Sequence, residues 1–156
     1  MPNVEVAFTF SPQEIVKKYE LKTASFEERL ESAIKLQRAG FKIGLRLDPL
    51  IYCDDFDAVY STMIERLFTE LDLTKVSNIG IGSLRYRKGL KAEVLKTHST
   101  DLFLKNFVIG VDGKERYFKP IRLKMYQFII GRIRRFGEFE IYLGMESDYI
   151  WQAVLK

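Results

Sequence analysis

Cysteine, histidine and tryptophan occur once each in the 156 residues, at Cys53, His98 and Trp151. A single cysteine excludes a disulfide framework, a zinc knuckle or a cysteine-ligated iron–sulfur cluster built from this chain alone. No histidine lies near Cys53 to activate it, and His98, in a stretch that reads as a surface turn, supports no dyad or triad. Four prolines and ten glycines are too few for a disordered or fibrous chain. Long apolar runs are missing too. Phe128-Ile129-Ile130 is broken at once by Gly131 and Arg132, far short of the ~20 residues a membrane helix needs. No signal peptide is read ahead of the first strand, so the default expectation is a cytoplasmic protein without membrane contact.

With 47% hydrophobic and 29% charged residues, the chain suits a single domain over residues 1–156. Its net charge of +4 is unevenly spread. Residues 1–80 carry 10 Lys or Arg against 13 Asp or Glu, whereas residues 81–156 carry 15 against 8. Between Arg85 and Arg135 the count is 14 against 4, with Tyr86, Phe103, Phe107, Tyr117, Phe118, Tyr126 and Phe128 interleaved. Cations and aromatics mixed in this way suit phosphates and stacked bases, while lysines on a solvated helix face are the plainer reading.

Val4–Phe10 alternates like a strand, and Ser11-Pro12-Gln13-Glu14 predicts an N-cap, a first-turn proline and a capping box for a helix to about Tyr19. Ser25 and Glu28 repeat the signature for a second helix ending at Gly40. A strand at Phe41–Leu47, a loop at Asp48–Asp55 and a helix from about Phe56 to Leu71 follow. Next come a strand at Val76–Ile81 and a turn at Gly82-Ser83. Beyond these, a short helix (Leu90–Lys96) precedes a hairpin, Phe103–Val111 and Lys114–Phe118, whose Asp112-Gly113 predicts a tight type I′ turn. A long helix from Pro120 to Gly137, a strand at Phe139–Leu143 and a helix at Tyr149–Leu155 close the chain. Alternating strands and helices imply a parallel α/β sheet, with too few strands to close an eight-stranded barrel.

Asp54, Asp55 and Asp57 raise the question of a divalent cation, but acidic residues ahead of a helix also suit its dipole, the favoured reading here. Gly80 and Gly82 permit either backbone approach to a ligand or tight packing. Lys114, Arg116, Tyr117, Lys119, Arg122 and Lys124 cluster on the hairpin and its exit. They suit either a nucleic-acid contact or a charge-guarded edge strand. Glu146 and Trp151 are expected to close the core.

The order of motifs resembles the C-terminal half of the spore photoproduct lyase-like family, radical-SAM proteins linked to DNA repair. Phe8-Thr9-Phe10-Ser11-Pro12 is similar to a strand ending in S-x-N-P. Tyr19–Arg29 resembles E-x-x-T-x-S-x-x-x-R, and Ala39–Tyr52 resembles A-G-Y-x-x-G…P-I. Gly80–Arg85, Asp112–Tyr117, Arg122, Tyr126 and Ile141–Glu146 with Trp151 continue the run. The resemblance implies an incomplete, half TIM-type barrel of parallel βα units. Residues 1–85 would supply its fourth to sixth strands, and residues 86–156 a basic hairpin-and-helix extension toward DNA. It implies cofactor contacts at Thr9, Ser11, Asp48 and Arg85, although for Ser11 the helix cap is favoured. Lys114, Arg116, Tyr117, Lys119 and Arg122 would contact DNA, with Tyr117 filling the gap left by an extruded base. The family's CxxxCxxC is not in this sequence, Ser11 replaces an asparagine, and Gly144 stands where relatives carry cysteine. S-adenosylmethionine binding would therefore need a partner half carrying the [4Fe-4S] cluster, and no catalytic residue or metal ligand is assigned to this chain. The alternatives are a non-catalytic nucleic-acid-binding module and a homodimer of two half-sheets.

Overall fold

The computed structural model describes residues 4–155. In chain order the elements are β1 (Glu5–Thr9), α1 (Gln13–Tyr19), α2 (Phe26–Arg38), β2 (Lys42–Leu50), α3 (Phe56–Glu70), β3 (Val76–Ser83) and β4 (Arg85–Arg87). They continue as α4 (Leu90–Thr97), β5 (Phe107–Ile109), β6 (Lys114–Tyr117), α5 (Lys119–Arg134), β7 (Ile141–Leu143) and α6 (Asp148–Leu155). Two sheets result: a parallel one ordered β1-β2-β3-β7 and an antiparallel one ordered β4-β6-β5.

The parallel sheet follows from apolar residues at every second position in the middle of β2 and β3. Ile43, Leu45 and Leu47 of β2, Ile79 and Ile81 of β3 and Leu143 of β7 are buried in one cluster. Leu30 and Ala33 of α2, Met63, Ile64 and Leu67 of α3, and Met125, Ile129 and Ile133 of α5 share it. Each of the Leu, Ile and Met side chains contributes about 1.5–3 kcal/mol when removed from water. Only one face of the sheet is covered in this way. Because β7 joins beside β3, the fourth parallel strand comes from the stretch expected to be an extension.

At α2 the expected capping box is present: the Glu28 N–H donates to Ser25 Oγ at 3.2 Å and the Ser25 N–H donates to Glu28 Oε2 at 2.7 Å. The one expected at Ser11 is not. Helix α1 starts at Gln13 with Pro12 as its cap, which leaves Ser11 outside the first turn, and Gln13 Oε1 accepts the Phe26 N–H at 2.9 Å instead. Strand β2 runs on through Asp48 and Pro49, and β3 through Gly82 and Ser83, because Leu50 pairs with Ser83 beyond an irregularity. The first three residues of the expected loop, Asp48–Leu50, and the expected turn are thus strand ends, while residues 51–55 are loop as expected. The hairpin turn also differs. Its i→i+3 bond, Gly113 N–H to Gly110 O at 3.0 Å, is followed by left-handed Gly113 (φ 74°). Asp112 stays out of the left-handed region, so this is a turn with a glycine bulge rather than type I′. Among the described residues no helix is long and apolar enough to cross a membrane.

Candidate nucleic-acid interface

The uncovered face of the parallel sheet is polar. Thr9, Arg46, Gly80 and Tyr142 are register partners across its four strands, so their side chains rise on one side. The Arg46 guanidinium lies 5.3 Å from the Tyr142 ring centroid, over glycine: a Cβ at Gly80 would meet the Tyr142 ring at 2.6 Å. Arg46 Nη1 donates to Asn78 Oδ1 at 2.7 Å, and Asn78 Nδ2 donates to Glu5 Oε1 at 3.0 Å. One row further along, at the C-terminal mouth of the sheet, Asp48 accepts both Nη groups of Arg85 at 3.0 and 3.1 Å. Its carboxylate sits over Gly82, where a Cβ would meet it at 2.5 Å. Both glycines are therefore packing sites under side chains, and neither offers bare backbone to a ligand.

Buried tyrosines hold these strand ends. The hydroxyls of Tyr60, Tyr117 and Tyr126 accept the backbone N–H groups of Ile51, Tyr52 and Ser83 at 2.8, 3.1 and 3.0 Å. Burial pushes all three hydroxyls well above the ordinary tyrosine range, so they stay protonated. The Tyr126 hydroxyl also donates to Glu146 at 2.7 Å, and Glu146 forms a buried ion pair with Arg122. Side-chain exposure there is 4% for Glu146 and 10% for Arg122.

The small sheet continues from this mouth. Arg85 lies opposite Arg116 and Arg87 opposite Lys114, while Val108 faces Arg116 from the other strand. Alternation places all four cations on one face. The other face carries Tyr86, Glu115, Phe107 and Tyr117, with Phe107 and Tyr117 stacked at 4.5 Å and Tyr86 donating to Glu115 at 3.0 Å. A cleft of about 400 Å³ opens on the cationic side, lined by Asp48, Arg85, Arg87, Lys114 and Met145. Met145 has a left-handed backbone (φ 54°), and its sulfur lies 3.3 Å from Arg85 Nε. A groove of about 490 Å³ between α3 and α5 lies away from the strand ends.

The residues expected from sequence therefore divide. Arg85, Lys114 and Arg116 come together on the cationic face. Tyr117 is fully buried beneath it, so its ring is not available to fill a gap in a duplex. Arg122 is 8% exposed and tied to Glu146, which removes it from the surface as well. Lys119 sits 3.6 Å over the Tyr149 ring, and Lys124 is exposed on α5. Thr9 is exposed at the end of β1. Ser11 is buried, and its Oγ has no hydrogen-bond partner. Asp48 is engaged by Arg85. Asp54 pairs with Lys105 at 2.8 Å, and Asp55 stands at the α3 cap without a side-chain cap bond. Trp151 is half-buried against the core. Sequence reading missed Arg46, Asn78, Tyr142 and Arg87. The signal for Arg46 was its place between Leu45 and Leu47, where strand alternation puts it on the face opposite the core.

The family model for spore photoproduct lyase matches residues 2–107, more than half of the chain. The chain belongs to the spore photoproduct lyase family. A spore photoproduct lyase from Clostridium acetobutylicum is 25% identical over 114 residues, spanning 73% of this chain and 32% of its own length. Among solved structures, a cysteine-to-alanine mutant of spore photoproduct lyase superimposes with a TM-score of 0.79 at 20% identity. Another mutant, with bound AdoMet and dinucleoside spore photoproduct, does so at 0.74 and 19%. Each covers 90% of this chain but only 44% of the solved one. The chain thus spans about a third of the curated relative and under half of these structures, whose likeness establishes the shared fold. The family match ends at Phe107, ahead of the hairpin turn, so it includes Arg85 and Arg87, while the place of Lys114 and Arg116 beside them rests on geometry.

Proposed function

We propose that this chain is the C-terminal, S-adenosylmethionine- and DNA-facing half of a spore photoproduct lyase-like radical-SAM protein. It would be inactive without a cluster-bearing half, since one cysteine cannot ligate the [4Fe-4S] cluster. Its four parallel strands would be one part of a barrel wall, with the polar face of Arg46, Asn78 and Tyr142 toward the lumen. The outer edge of β1 has no strand partner among the described residues and is where the cluster-bearing half would pair.

The observation that carries the reading is the double opposition of like charges, Arg85 with Arg116 and Arg87 with Lys114, at the mouth of the parallel sheet. Directly opposed like charges destabilise a sheet, so a face built this way gains from an anionic ligand, and nucleic-acid phosphates supply one. With Tyr117 buried, the part that would enter a duplex is the apolar hairpin tip, where Ile109 is 63% exposed and Val111 fully so. S-adenosylmethionine, bound with a cluster, would supply the radical chemistry. Of the residues present, the exposed Thr9 hydroxyl and the unpartnered Ser11 hydroxyl fit its polar groups best. Asp48 and Arg85, already paired with each other, belong with the phosphate-facing surface. A non-catalytic nucleic-acid-binding module would use the same cations.

Fluorescence anisotropy of the full chain with a labelled thymine-rich duplex tests the shared core of both readings. Binding should weaken between about 50 and 200 mM salt, with a slope near −0.9 per phosphate contacted. Absent or salt-independent binding would overturn the assignment.

A further inference from the structure

Three of the four cations on the small sheet already have an internal carboxylate. Arg85 is clamped by Asp48, Arg87 pairs with Glu93 at 2.5 Å and Arg116 pairs with Asp112. Lys114 alone has no carboxylate partner among the described residues; its Nζ lies 3.8 Å from the Met145 sulfur. The carboxylates do not belong to the sheet. Glu93 comes from α4 and Asp112 from the hairpin turn, and both are well exposed, at 54% and 40%. Arg116 is itself only 11% exposed: Nη1 donates to Met145 O at 3.3 Å and Nε is buried without a partner, so Nη2, which meets the exposed Asp112, is the group open to exchange.

We infer that Glu93 and Asp112 are specificity-determining carboxylates: they occupy Arg87 and Arg116 in the free chain and must be exchanged for phosphates when nucleic acid docks. The inference rests on the nucleic-acid reading above and adds the class of anion selected. A single phosphate reaching Lys114 gains little, because each further cation requires an ion pair to be broken. A backbone presenting several phosphates in a row exchanges Glu93 and Asp112 together. The face therefore selects a polynucleotide over inorganic phosphate or a mononucleotide. Exchange also lowers the salt dependence, since a phosphate that displaces a carboxylate releases fewer counterions overall than one meeting a bare cation.

The test is duplex binding by the full chain and by Glu93→Gln, Asp112→Asn and Glu31→Gln. Glu31 is an exposed α2 residue that supplies the same change in net charge away from the sheet. Asn at 112 keeps the side-chain oxygen that accepts the Lys114 N–H at 3.2 Å, so the turn is preserved. Each of the first two variants should bind the duplex about two- to fivefold more tightly, the range expected from removing an exposed ion pair. Each should also steepen the salt slope by up to about 0.9. The double variant should bind inorganic phosphate where the parent does not. Equal gains from Glu31→Gln would reduce the effect to net charge and overturn the inference. So would a parent that binds duplex while Glu93→Gln and Asp112→Asn leave affinity and slope unchanged. A parent that binds no duplex at all, with both variants equally inert, overturns the nucleic-acid reading itself.

Discussion

On the uncovered face of the parallel sheet, Glu5, Arg46 and Asn78 satisfy one another within the sheet. On the cationic face of the small sheet, four cations stand side by side, and the carboxylates that pair with three of them are borrowed from a helix, a turn and the other sheet. The first arrangement is settled by the strands that make it. The second is stable only while something outside the strands supplies negative charge. In the proposed reading that difference separates a face that would line an interior from one that would receive an anion, and both meet at the Asp48–Arg85 pair.

The sharpest way to break the comparison is to cut the joint beneath it. Arg122 on α5 and Glu146 after β7 are buried together, with Tyr126 linking them to the end of β3. Glu146→Ala leaves Arg122 as an uncompensated buried charge and should lower stability by about 3–5 kcal/mol, read as a fall in the urea midpoint. A change under about 1 kcal/mol would mean that the pair is solvated and the two regions are joined elsewhere. Tyr117→Phe comes next. Its loss leaves the Tyr52 N–H without an acceptor, for about 1–3 kcal/mol, with no change in duplex affinity at temperatures where the chain stays folded. Lost affinity at unchanged stability would instead restore Tyr117 to the interface.

The smaller binding effect belongs to Lys114→Ala. Removing the one cation of this face without a carboxylate partner among the described residues should weaken every duplex severalfold, whatever its sequence, and reduce the salt slope by about 1. An unchanged slope would show that phosphates do not reach this cleft.

Much of the helix-covered half was legible in the sequence, because its physics is local. Ser25 and Glu28 cap α2 as spacing demands, and Leu30, Ala33, Ile43 and Leu45 alternate or recur at the right periods. The failures have physical causes of another kind. Pro12 takes the cap and displaces Ser11, a matter of one residue in where α1 begins. Strand β4 is Arg85-Tyr86-Arg87, three residues whose strand character exists only in partnership with β6. Tyr117 carries an aromatic ring on a hairpin, and nothing local distinguishes an exposed wedge from a ring folded back onto Phe107 and Tyr52. The cationic face was visible as a regional excess of charge. Which of its cations share a face was not, because that is set by the β4–β6 register, a long-range pairing.

The last test sharpens the other side of the comparison, the self-paired face. The Asn78 amide, ahead of Ser77 and Arg46, holds the Glu5 carboxyl below its ordinary value of 4.5, against an opposing effect of burial. A carboxyl whose folded pKa is depressed stabilises the fold above its unfolded pKa, and that contribution is lost as pH falls through the lower folded value. Asn78→Ala should therefore move the Glu5 titration midpoint, followed by NMR of the side-chain carboxyl carbon, up toward 4.5. It should also slightly shrink the loss of stability on acidification. Glu5 is 39% exposed, so solvent screens the effect, and its stability change is smaller than those at Glu146 and Tyr117. If the midpoint stays low, Ser77 and Arg46 hold the Glu5 charge without Asn78. If Glu5 in the parent chain titrates at 4.5, the face is not self-paired in solution, and its charges, like those of the small sheet, await a partner.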